Sequence, residues 1–172
     1  MKVLTTSVSV LAAMLIATTS HAATTGKVSF TGKVYNQTCD VSPATADQTV
    51  ILSDVRASEL NLAGKTANPT NFTLSLKGCT KGATVGFKFD QVNVDAATGT
   101  LTSSGTAQNV NVQILDKNTA PLALNAQTKT DYVKVLANDI PIDYQYKAQY
   151  YATGEATPGT VSTYATFSVD YK

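Results

Sequence analysis

Histidine is almost absent from this 172-residue chain, and the single one, His21, lies near the N-terminus. Cysteine is nearly as scarce: Cys39 and Cys79 are the only two. Residues 1–22 combine a positive Lys2, an apolar stretch from Val8 to Ala17 and a small-residue exit, Ser20-His21-Ala22. Such a segment reads as an export signal, because its apolar run is too short to span a bilayer. Cleavage after Ala22 would leave 150 residues without any histidine. A chain without histidine runs no Ser-His-Asp or Cys-His mechanism and lacks the commonest metal ligand. CxxC spacing is missing too, so a two-cysteine metal site has no completing ligands. In an oxidising compartment the simplest fate of Cys39 and Cys79 is one disulfide.

Charge of one sign is lacking as well. Losing Lys2 with the signal leaves 12 basic and 12 acidic residues, with no basic run or stripe. Nucleic acid is therefore not an expected partner, and no second apolar stretch is long enough to cross a membrane. No glycine loop of phosphate-binding type occurs. A two-carboxylate mechanism would have to draw on Asp131, Asp139 and Asp143, which lie near turns, where solvated surface is the ordinary role. Asp90–Asp95 offers oxygen ligands but lacks the sixth-position glycine and distal glutamate of a calcium loop. No enzyme activity, cofactor or metal is expected.

What the chain does have is period-two alternation almost throughout. Val28–Asn36 alternates, and Thr49-Val50-Ile51-Leu52 reads as a short apolar strand. Phe72, Leu74 and Leu76 precede Cys79; Val85, Phe87 and Phe89 follow it. Val110, Val112 and Ile114 form another set, Ile142, Tyr144, Tyr146, Ala148 and Tyr150 the next, and Ala165, Phe167, Val169 and Tyr171 the last. Turn signals separate them: Gly64-Lys65, Gly78, Lys81-Gly82, Thr98-Gly99 and Pro158-Gly159. One helical turn is expected within Val55–Leu62, and Ala96–Gln108 reads as a polar loop or hairpin tip. Short Thr- and Val-rich strands without a long helix predict an all-β, immunoglobulin-like sandwich. Tyr144, Tyr146, Tyr150 and Tyr151 could stack sugars, but strand tyrosines ordinarily pack on a half-buried sheet. Asn36-Gln37-Thr38 and Asn71-Phe72-Thr73 match glycosylation sequons.

The first segment after the signal is the most unusual. Gly26, Val28, Phe30, Gly32 and Val34 share one face of an extended strand, alternating with Lys27, Ser29, Thr31 and Lys33. Two glycines on an apolar face suit a segment that pairs with something else. This strand, Cys39, Asp47-Gln48-Thr49-Val50, Cys79, Asn109–Asp116, Ala148–Gly159 and Ala165–Lys172 occur in an ordered set along the whole chain. That set resembles the subunits of chaperone–usher fimbriae, and among them the major shaft pilins of type 1 fimbriae.

The resemblance implies a sandwich lacking its last strand, with residues 1–22 as signal peptide, 23–36 as a donor-strand extension and 37–172 as the pilin domain. A periplasmic chaperone would first fill the groove, and at an outer-membrane usher the extension of the next subunit would replace it, a form of strand addition. Gly26, Val28, Phe30, Gly32 and Val34 would be the donor positions. Gly159, fourteenth from the end, and Ala165, Phe167, Val169 and Tyr171 would mark the strand gripped by the chaperone and lining the acceptor groove. Function would then be structural: a homopolymeric shaft at the cell surface, carrying a tip adhesin complex. A minor adaptor pilin, a carbohydrate-binding adhesin and a self-completed secreted sandwich are the rival readings.

Overall fold

A computed structural model of the protein describes residues 27–32, 39–126 and 131–172. The chain divides into two units, Met1–Tyr35 and Asn36–Lys172. In the first, residues 27–32 carry no regular secondary structure, with Val28 76% and Phe30 91% exposed. The alternation there predicted a strand. Alternation alone does not make one, because strand stability comes from cross-strand pairs and a ladder. Gly26, Val34 and the export signal over residues 1–22 lie outside the described residues.

The second unit is a two-layer β structure. Its elements in order are β1 (Asp40–Val41), α1 (Pro43–Ala46), a 3-10 turn (Ala57–Leu60), β2 (Thr66–Lys77), β3 (Thr84–Phe89), β4 (Leu101–Thr102), β5 (Val110–Leu115), β6 (Val133–Lys134), β7 (Ile142–Ala152) and β8 (Phe167–Tyr171). One sheet runs β1-β2-β7-β5-β4 and the other β6-β3-β8, with every pairing antiparallel. The period-two runs supply the long strands, since alternation presents one apolar face to the core. Register brings Phe72, Leu74 and Leu76 of β2 opposite Tyr146, Tyr144 and Ile142 of β7. On the other flank of β7, Ala148 and Tyr150 face Ile114 and Val112 of β5.

Aromatic rings join the two layers. Phe87 of β3 meets Tyr144 edge-on at 5.2 Å between centroids, and Phe89 meets Tyr146 at 5.3 Å. Phe167 of β8 stands against Phe87 at 5.3 Å. Edge-to-face pairs of this kind add about 0.5–1.5 kcal/mol beyond area burial. The Tyr144 hydroxyl donates to the Val85 carbonyl at 2.6 Å, so a buried phenol ties β7 of one sheet to β3 of the other.

Several local expectations need correction. Thr49–Leu52 forms no ladder. Gln48 Nε2 donates to the Thr73 carbonyl at 2.9 Å, and Asn68 Nδ2 donates to the Ser53 and Asp54 carbonyls at 3.2 and 2.7 Å. Residues 48–54 therefore run beside β2, fastened by side chains, while Val50 and Leu52 pack on the core and Ile51 points outward, 82% exposed. Asn68 can do this because it sits at the irregularity between Ala67 and Thr70 with φ 53°. The helical turn expected over Val55–Leu62 is the shorter 3-10 turn. Residues 96–108 are not a polar tip: they contain β4, and Leu101 and Ala107 are buried. β5 is buried at all six positions, with Asn111 satisfied by Thr100 Oγ1 at 2.8 Å and Gln113 by Gln149 at 2.7 Å.

Cys39 and Cys79 form a disulfide that closes 40 residues of chain and staples β1 to the turn after β2. Replacing both cysteines by alanine should lower stability by about 4 kcal/mol on the chain-entropy argument. Denaturant unfolding of the oxidised protein and the double variant measures the difference; equal midpoints would mean that the staple restricts nothing.

Candidate strand-acceptor edge

β8 is hydrogen-bonded on one side only. Its residues pair with β3 from Val85↔Tyr171 to Phe89↔Phe167, and among the described residues no strand lies on its other flank. The flanking bonds fix its orientation: Asp90 N–H donates to the Thr166 carbonyl and Lys172 N–H to the Thr84 carbonyl, both at 2.9 Å. Since backbone groups alternate sides in an antiparallel strand, residues 166, 168, 170 and 172 face β3. Phe167, Val169 and Tyr171 therefore turn their N–H and C=O groups to the open edge. Their side chains, with those of Val161 and Ala165, are half-buried on the core. An open backbone edge and an uncovered apolar row thus coincide on the same residues.

Val50 and Leu52, in the off-sheet segment at residues 48–54, are likewise half-buried on that core. One end of the opening is pinned by Tyr171. Its hydroxyl accepts the Cys39 N–H at 3.0 Å, which sets the end of β8 beside the start of β1. The disulfide and the last tyrosine thereby meet at one point.

The lead into β8 is fixed at the other end. Ala107 N–H donates to the Thr160 carbonyl at 3.0 Å, and Ser104 N–H to the Ser162 carbonyl at 2.8 Å. The two backbones approach so closely that a Cβ on Gly159 would lie 2.3 Å from the Ala107 nitrogen, and one on Gly105 2.0 Å from the Thr160 oxygen. Gly159 thus lies before β8 and anchors the lead-in within the subunit. Gly105 and Val161 were not singled out from sequence, and Val50 and Leu52 were read there only as part of a short strand. Val161 continues the odd-numbered alternation of Ala165–Tyr171, a signal interrupted only by Thr163.

Several of the other candidates have structural roles. Tyr144, Tyr146 and Tyr150 are buried and present no ring face for a sugar. Asp131 pairs with Lys117 at 2.7 Å, and Asp143 accepts from Ser75 Oγ at 2.6 Å. Asp95 caps its own turn, accepting from Thr98 Oγ1 and the Thr98 and Ala97 N–H groups, and these bonds lower its pKa. Among the described residues no group of three or more His, Cys, Asp or Glu could hold a metal, and no helix is long and apolar enough to cross a membrane.

A sandwich with an open edge strand over a half-covered core is the architecture of a pilus subunit, and similarity to known proteins agrees. Residues 28–172 match the family described as fimbrial protein, and the chain belongs to that family. It is 35% identical to the type 1 fimbrial subunit of Klebsiella pneumoniae, with both chains covered in full. It is 36% identical to the F17 fimbrial protein of Escherichia coli over 86% of this chain and 87% of that one. In fold it is similar to a chain from a chaperone–usher pilus, with TM-score 0.63, 21% identity, and 89% of this chain and 99% of that one covered. The P pilus rod subunit PapA gives TM-score 0.62 at 19% identity, covering 78% and 99%. This protein is a structural subunit of a fimbria, a surface fibre.

Two outcomes follow from the geometry. Gly159→Ala should cost about 1–3 kcal/mol, as overpacking does, read as a lower melting temperature; an unchanged melt would mean that the 106–107 backbone yields freely. Burial pushes the Tyr144 hydroxyl up to about 12, with the charge of Asp131 adding to it, and raises Tyr146 for the same first reason. The unfolded chain ionises these phenols near pH 10, before the folded one does. Stability should therefore hold below pH 10 and fall as pH rises through 12. Unfolding followed against pH by tyrosinate absorbance checks this; a folded state that ionises all its tyrosines at pH 10 contradicts it.

Proposed function

We propose that this subunit polymerises by donor-strand exchange into the shaft of its fimbria, with residues 23–36 of one copy completing the open edge of the next. The observation that carries this reading is the coincidence of free backbone groups and half-buried side chains at Phe167, Val169 and Tyr171. An exposed edge of this kind invites aggregation, and a strand laid on it satisfies the backbone and covers the apolar row together.

The lengths agree. Fourteen extended residues, 23–36, reach about 46 Å at about 3.3 Å per residue, and the lip from 161 to 171 needs about 36 Å. Burying Val28, Phe30 and Val34 is worth roughly 5–9 kcal/mol gross, and each new backbone hydrogen bond adds about 0.5–1.5 kcal/mol net. Donor and acceptor are different surfaces, so the contact is head-to-tail and propagates as an open filament.

The remaining steps follow from the family resemblance. Residues 1–22 direct export, a periplasmic chaperone shields the edge, and an outer-membrane usher exchanges it for the next donor. The finished shaft holds a tip adhesin complex away from the cell. The burial of Tyr144, Tyr146 and Tyr150 favours this structural role over the lectin reading.

Gly32 provides the test. Among the described residues a Cβ there meets nothing within 4 Å, so substitution leaves their packing alone. In a completed joint, glycine on the donor face marks close backbone approach. Gly32→Leu should abolish fibres while chaperone–subunit complexes still form, as seen by electron microscopy and co-purification. Normal fibre yield from this variant would refute a donor register that places Gly32 against the neighbour's backbone.

A further inference from the structure

β8 has to remain flat and in place while its outer edge is empty, yet it holds only five ladder positions with a single neighbour. Strands of that kind fray unless something else restrains them. The restraint comes from the far side of its own sheet.

β6 pairs with β3 through Thr84↔Lys134 and Val85↔Val133. Continuing that register by one residue sets Tyr132 across from Gly86, and Gly86 is paired with Asp170 of β8. Tyr132, Gly86 and Asp170 therefore form one row across the three strands. Side chains in such a row share a face of the sheet, and for Asp170 that face is the one away from the core, since its neighbours Val169 and Tyr171 point inward. The middle member of the row has no side chain. Tyr132 spans β3 at this gap and its hydroxyl donates to Asp170 Oδ2. The Lys172 ammonium lies 5.5 Å from the centroid of the same ring, within the range of a cation–π contact. One phenol thus holds two of the last three residues. The adjacent Asp131 ties the segment to Lys117 in the turn after β5.

We infer that Tyr132 is a positioning residue that clamps β8 from behind, so that the acceptor edge is already formed when a donor strand arrives. The inference rests on the strand-acceptor reading and extends it to how readily the edge binds. If β8 had to be ordered at the moment of exchange, that cost would be subtracted from donor affinity, because only the competent fraction of subunits binds.

Hydrogen exchange of the whole exported chain tests this, with Tyr132→Phe as the main variant and Asp170→Asn, which keeps an acceptor oxygen, as the conservative one. The amides of Ser168 and Asp170, which face β3, should exchange on the order of tenfold faster in Tyr132→Phe, the effect of losing one charge-assisted hydrogen bond. Exchange in β5 and β7 should stay as in the wild type, and Asp170→Asn should show a smaller change. A synthetic peptide of residues 23–36 should bind Tyr132→Phe several-fold more weakly than wild type. Unchanged exchange in β8, or an equal rise in β5 and β7, would overturn the clamp. Failure of the peptide to bind wild type would instead strike the strand-acceptor reading, with the exchange result still deciding the role of Tyr132.

Discussion

A strand hydrogen-bonded along one edge, laid over a core that it only half covers, governs this molecule. β8 carries Phe167, Val169 and Tyr171 with their side chains on the core and their backbone groups turned to an edge that has no partner among the described residues. Both halves of that arrangement are unfavourable in an isolated chain: apolar surface stays wet, and a flat edge is a template for pairing. Much of the surrounding structure holds the strand in that position. Phe167 is seated edge-on against Phe87, the Tyr171 hydroxyl takes the N–H of a disulfide cysteine, and Gly105 and Gly159 let two backbones lock the lead-in. Tyr132 adds a hold from behind.

The same constraint explains why the protein is a fibre subunit. A fold that completed its own sheet would have a stable monomer and nothing to offer a neighbour. On the donor-strand reading proposed above, the deficit and its remedy lie on separate parts of one sequence, so each copy that fills an edge brings an unfilled edge of its own. Closed symmetry would need a self-complementary surface, whereas a donor and an acceptor that differ generate a chain.

The sequence announced the long strands because they obey a strict period of two with one face buried, as at Phe72–Leu76, Val85–Phe89 and Phe167–Tyr171. Ala165, Phe167, Val169 and Tyr171 share that period, while their proposed acceptor role was suggested by the family resemblance. Other features depend on partners that a local pattern cannot reveal. Thr49–Leu52 has strand composition, but side chains of Gln48 and Asn68 fasten it beside β2, so it joins no ladder. Residues 96–108 looked polar because their buried apolar side chains, Leu101 and Ala107, are few and separated. β6 is two residues long, and neither its pairing nor the reach of Tyr132 across Gly86 leaves any periodic trace. Gly159 was picked out by its place in the family pattern, while its physical reason, contact with the 106–107 backbone, required three dimensions.

The central claim concerns three amides. In NMR spectra of the exported chain, the N–H groups of Phe167, Val169 and Tyr171 should exchange rapidly with solvent, in contrast to those of Ser168 and Asp170 beside β3. Addition of a peptide of residues 23–36 should protect all three outward amides together. Binding of the peptide with those three left unprotected would place the donor elsewhere on the subunit and contradict the open-edge mechanism.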